Sequence, residues 1–136
     1  MKKIHSKKDK SKLLHVFYSL NDISNRTDII DSNQFLQVAS LELNHGQTFK
    51  PHQHIWRDNI CKKVIAQECW VILQGSVRVD YYDTDGAFLE ANILNQGDVT
   101  ITLEGGHNYQ SLSEDTKVYE IKTGPYYGQH LDKKFL

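Results

Sequence analysis

Cysteine, proline and long apolar runs are all scarce in this chain. It has two cysteines, two prolines and one methionine in 136 residues. Cys61 and Cys69 make neither a disulfide framework nor a zinc ribbon, so they read as free thiols of a reducing compartment. Cys69 stands in the apolar run Cys69-Trp70-Val71-Ile72-Leu73 and reads as a small buried side chain. No apolar stretch approaches the roughly 20 residues of a membrane-spanning helix. The Lys-rich start leads only to Leu13–Leu20, too short and too polar for a secretory leader, so a cytoplasmic protein with no membrane partner is expected. A large net charge is missing too: the formal value is −1. It is unevenly spread. Residues 1–12 hold six lysines and one aspartate, +5, which leaves −6 for the remainder. A mildly acidic body argues against nucleic acid as the main partner, and the basic stretch reads as a flexible, solvated tail.

What is present is a globular composition: 39% apolar, 24% charged and 10% aromatic. The length suits one domain, able to bury roughly two-thirds of its unfolded surface without disulfide staples. Glycines punctuate the chain at Gly46, Gly75, Gly86, Gly97 and the pair Gly105-Gly106. Between them lie short segments rich in Val, Ile, Leu, Tyr and Thr, the pattern of an all-β sandwich or barrel. Strands are expected over Gln34–Leu43, Glu68–Leu73, Phe88–Leu94, Val99–Leu103 and Lys117–Thr123. In a further strand Val77, Val79 and Tyr81 alternate with Arg78, Asp80 and Tyr82. Asp85-Gly86 signals a hairpin before Phe88. Residues 21–33 fit either a short helix or a loop. The stretch after Glu68 is apolar on both faces, which calls for a cover on each side of its sheet, the second subunit being one candidate.

The chemistry concentrates in four residues. His52 and His54 stand two apart, so on a strand they share one face and can share one metal at about 2.1 Å. Glu68 follows, and His107 comes after Gly105-Gly106. Three imidazoles and a carboxylate suit one divalent transition metal such as Fe, Mn, Ni, Co or Zn, and octahedral geometry leaves two positions open. A carboxylate beside Cys69-Trp70-Val71-Ile72 is costly to bury without a partner. Tyr109 shares the face of His107 and reads as a general acid, a supporting hydroxyl or a lining aromatic. Trp70 and Ile72 share the face of Glu68 and read as pocket wall. Arg57 is a candidate for holding an anionic group at the rim. Glu120 and Lys122 share a strand face and read as an ion pair on the outside. His5, His15, His45 and His130 have no partner spacing and read as structural or exposed.

These residues resemble the two motifs of the cupin superfamily. Gly46, five residues, His52-x-His54 follow the first motif, as do Glu68, six residues and Gly75. The gap from His54 to Glu68 is thirteen residues where the family has three or four. In the second motif Gly97 and Gly105 fit, Leu103 replaces a proline, His107 comes one residue early and the closing Asn is absent. Gln67-Glu68-Cys69, Tyr82-Asp83-Thr84-Asp85-Gly86 and Gly105-Gly106-His107 are similar to small single-domain bacterial cupins of unassigned reaction. The resemblance implies a cupin-type jelly-roll β-barrel, also called a double-stranded β-helix, with the metal in its mouth. The expected organisation is a tail over 1–12 and one cupin domain over 13–136, with its motif core at 36–123. Cupins commonly pair, and spare apolar sheet surface agrees, so a homodimer is expected.

Three function classes follow. The first is a small metalloenzyme, a dioxygenase or an isomerase or lyase, acting on a small polar metabolite. A metal-independent variant is a sugar-nucleotide isomerase or epimerase, using a His base and Tyr109 as acid. The second class is a non-catalytic module that binds a small ligand or a metal. The third is a structural barrel, against which the four-ligand set weighs.

Overall fold

Val, Ile, Tyr and Thr set in alternation pair here into antiparallel sheets. The computed structural model describes residues 1–42, 44–45, 47–51, 53, 65–124, 130 and 134–136. Its strands are β1 (Lys2–His5), β2 (Leu13–Tyr18), β3 (Arg26–Asp28), β4 (Ala39–Leu41), β5 (Glu68–Gln74), β6 (Val77–Tyr82), β7 (Phe88–Leu94), β8 (Val99–Thr102), β9 (Gly106–Ser111) and β10 (Lys117–Lys122). A single 3-10 turn, Leu20–Asp22, is capped by Ser19 and Asp22. One sheet has the order β1-β2-β8-β5-β10, a second β7-β6-β9, and β3 pairs with β4. From β5 onward the chain passes repeatedly between the two larger sheets, which places β5, β8 and β10 against β6 and β9. No helix among the described residues is long and apolar enough to cross a membrane.

The middle strands of the five-stranded sheet, β2, β8 and β5, are covered on both faces, while Tyr119 and Ile121 of β10 stay exposed. On the inner side Ile4 and Ile72 pack with Val77, Val79, Tyr81 and Leu94 of the facing sheet. On the outer side Val16, Tyr18, Cys69 and Ile101 pack under Ile29, Ile30 and Leu36. The second cover is therefore supplied by the chain itself. Buried Gln67 ties it down: its Oε1 accepts the Leu36 N–H at 2.8 Å, and its Nε2 donates to Gln34 Oε1 at 2.7 Å.

Two expectations change. The strand foreseen over Gln34–Leu43 is short, Ala39–Leu41. Before it, the Gln34 N–H bonds the Asp31 carbonyl, and Gln37 Nε2 donates to the carbonyls of Asp31 and Gln34. Such local bonds compete with a ladder. The N-terminal residues expected to form a tail contain β1, which pairs with β2, and Ile4 enters the core. The Ser6 hydroxyl lies 2.8 and 2.9 Å from the Asp83 oxygens, and the Lys7 N–H donates to Asp83 at 2.8 Å. Lys2, Lys8 and Lys12 pair with Glu90, Asp85 and Glu104, so the basic stretch lies against the acidic body. Residues 21–33 resolve into the 3-10 turn and β3.

Candidate functional site

Register and pleat decide which side chains meet between the sheets. Glu68 opens β5 and stands opposite Thr102 of β8 and Lys122 of β10. Thr102 in turn stands opposite His15 of β2. Two residues along, Trp70 stands opposite Thr100 and Glu120. On the facing sheet His107 and Tyr109 of β9 stand opposite Tyr81 and Val79 of β6.

Glu68, His107, Trp70 and Tyr109 form one cluster. His107 Nε2 lies 3.1 Å from Glu68 Oε1, although the two residues come from different sheets. Trp70 Nε1 donates to the same oxygen at 2.9 Å. Glu68 is 6% exposed, so these contacts offset the cost of burying its charge. The Trp70 and Tyr109 rings stack at 3.9 Å and 14°. The His107 ring tilts against Tyr109 at 4.9 Å and 41°.

Two buried polar atoms in the cluster make no well-formed hydrogen bond among the described residues, His107 Nδ1 and Tyr109 Oη, the latter with the Thr102 hydroxyl beside it. Buried polar atoms are overwhelmingly paired, so these two, two residues apart on β9, are candidates for contact with a bound molecule. Burial, then the Glu68 charge, hold the Tyr109 hydroxyl well above its usual range, with Thr102 pulling the other way. Tyr109 therefore keeps its proton. Burial pushes the neighbouring Cys69 thiol up to about 11, with Glu68 adding to it, so this free cysteine is a structural residue.

The sequence reading missed His15. It is fully buried, with Nε2 3.2 Å from the Tyr82 carbonyl and Nδ1 3.1 Å from Thr102 Oγ1. A carbonyl only accepts, so Nε2 carries the hydrogen and Nδ1 accepts from Thr102. Burial lowers this imidazole to about 4, the Tyr82 carbonyl opposing. The signal lay in the alternation of Leu13–Tyr18, which puts His15 and Phe17 on one face.

Gly105, a glycine of the second motif, makes room for this arrangement. Its φ is +86°, and a Cβ there would stand 2.5 Å from the Tyr82 carbonyl oxygen and 3.2 Å from His15 Nε2.

The remaining site expectations divide. Ile72 belongs to the core cluster with Val77 and Leu94. Glu120 and Lys122 do pair, at 3.5 Å, but their register opposite Trp70 and Glu68 puts them on the inner side of the sheet. His52, His54 and Arg57 lie outside the described residues. Among the described residues, no three His, Cys, Asp or Glu side chains gather into a metal-binding group. No family model, curated protein or solved structure matches the chain.

Proposed function

We propose that the chain is a small cupin-type metalloprotein, a jelly roll that binds one divalent transition metal through Glu68, His107, His52 and His54. The observation that carries the reading is the 3.1 Å approach of His107 Nε2 to Glu68 Oε1 across the two sheets. Two donors about 2.1 Å from a common centre at right angles stand about 3.0 Å apart, so the pair fits two neighbouring ligands. The two interleaved sheets support the jelly-roll part of the reading.

The metal would supply Lewis-acid or dioxygen-activating chemistry to a small polar metabolite. The chain's own residues have separate tasks. Trp70 fixes one carboxylate oxygen of Glu68. Tyr109 holds a proton on a buried hydroxyl beside the site, available to a bound molecule. The stacked Trp70 and Tyr109 rings exclude water from one side.

A second reading is metal-free acid–base chemistry, as in an isomerase or epimerase. The buried, protonated Tyr109 hydroxyl favours it, with the His107–Glu68 pair as proton acceptor.

Elemental analysis of untagged protein separates the two. The metalloprotein reading expects close to one equivalent of a transition metal, lost in Glu68→Ala and His107→Ala and retained in Tyr109→Phe. A parent that holds no metal, even after reconstitution, contradicts it and leaves the acid–base reading.

A further inference from the structure

A cleft of about 410 Å³ opens beside the Trp70–Tyr109 stack, a volume in the range of small-molecule sites. Its carbon-rich wall comes from both sheets: Trp70, Val77, Tyr109 and Val118. Its rim is the β9–β10 turn, with the hydroxyls of Ser111, Ser113 and Thr116 and the carboxylate of Asp115. Asp115 is exposed, and among the described lining residues it is the only charged one.

The rim hydroxyls are held in set directions. Ser111 Oγ and Thr116 Oγ1 each reach the Ser113 carbonyl at 2.8 Å, Thr116 Oγ1 also lies 2.7 Å from Ser111 Oγ and 3.1 Å from Ser113 Oγ, and Ser113 Oγ accepts the Ser76 N–H at 2.9 Å. The three hydroxyl hydrogens all have acceptors within the turn, which leaves spare lone pairs on Ser111 Oγ, on Ser113 Oγ and on the Asp115 carboxylate. Each hydroxyl oxygen has two. The rim therefore wants donors. An anion would find no cationic partner in the described lining. A cation would meet a single carboxylate, Asp115, which is exposed, where an ion pair contributes little. A purely apolar molecule would leave the rim unmatched.

We infer that this cleft binds a small uncharged molecule rich in hydroxyl groups, its carbon–hydrogen face against Trp70, Val77 and Val118 and its hydroxyls on the β9–β10 turn. This deepens the proposed function, because Trp70 and Tyr109 belong to both the cleft and the Glu68–His107 cluster. It rests on that reading for the link to chemistry, while binding itself needs no metal.

The test uses the full chain with Trp56→Phe, so that indole emission reports Trp70. Metal-stripped and metal-loaded protein are titrated with methyl glucoside, methyl galactoside and myo-inositol, and with succinate and choline as charged controls. At least one uncharged probe should shift the emission saturably in both forms, and neither charged control should. Val118→Phe, which fills the cleft, should abolish the shift. Ser111→Val, which removes one acceptor at an exposed position, should weaken binding about fivefold, the value of one neutral hydrogen bond. If Val118→Phe does not fold, Ser111→Val decides. No response to any uncharged probe, a response to a charged control alone, or affinity unchanged in Ser111→Val overturns the inference. A chain that fails to hold metal but passes these titrations leaves the cleft standing and removes only the metal reading.

Discussion

At the scale of single residues, His15 and Asp83 are set against their ordinary ionisation in ways that give acid sensitivity. His15 has an ordinary value of 6.5 and is lowered by burial to about 4. Between those values the unfolded chain binds the proton and the folded chain does not. Stability is therefore full above pH 6.5, falls as pH drops toward 4, and stops falling from this source below that. His15→Phe should be destabilised at neutral pH, because Tyr82 and Thr102 lose a partner, yet its stability should slope less between pH 4 and 6.5. Denaturant melts across that range check this, and an unchanged slope would contradict the assignment. Imidazole NMR should find His15 with the hydrogen on Nε2. Asp83 works in the same sense over a lower range. Burial pushes its carboxyl up, but bonds from the Thr84 N–H, the Ser6 hydroxyl and the Lys7 N–H outweigh that and hold it at about 2. Its contribution is present above the ordinary value of 3.8 and is lost as pH falls toward 2.

At the scale of elements, Asp83 makes β1 part of the fold. It gathers Ser6 and Lys7 at the end of the strand, while the lysine pairs lie at the surface, where such pairs contribute little. Asp83→Ala should speed amide exchange through β1 much more than Lys2→Ala or Lys8→Ala. Equal effects would place the anchor in the charges instead. Gly105→Ala should cost about 1–3 kcal/mol through its left-handed backbone alone, and more if the Tyr82 carbonyl cannot yield. Thermal melts measure it. These elements also show what the sequence made legible. The alternation of Val77, Val79 and Tyr81, the Asp85-Gly86 turn and the bounds of Phe88–Leu94 are local signals, and the strands follow them. The strand Lys2–His5 was hidden because Ile4 is its one apolar residue and its one buried residue, too little to show an alternation. What holds it is a contact 77 residues distant, between Ser6 and Asp83, which no local pattern carries. Likewise, the spacing nominated Glu68, His107, Trp70 and Tyr109 singly. That Glu68 and His107 touch depends on sheet-to-sheet packing, and His15, left as structural or exposed, is placed inside by its pairing opposite Thr102.

At the scale of the whole molecule, the middle strands of one sheet are covered on both faces, yet the inner face is not uniformly apolar. Toward the far end of β5 from Glu68 the inner layer is Ile72 against Val77, Val79 and Leu94 of the facing sheet, which supplies the core. Beside it runs a polar row, His15, Thr102 and Glu68, facing His107 and Tyr109. Burying such a row costs stability that an all-apolar layer would not. The cost has a use if the row binds something, and the two buried polar atoms on β9 point the same way. The measurement that tests this most directly is a cobalt(II) titration of metal-stripped, untagged protein, followed by visible absorption. The account predicts ligand-field bands that saturate at one equivalent and vanish in both Glu68→Gln and His107→Ala. Absence of those bands in the parent, or bands that persist unchanged in the two variants, would contradict it.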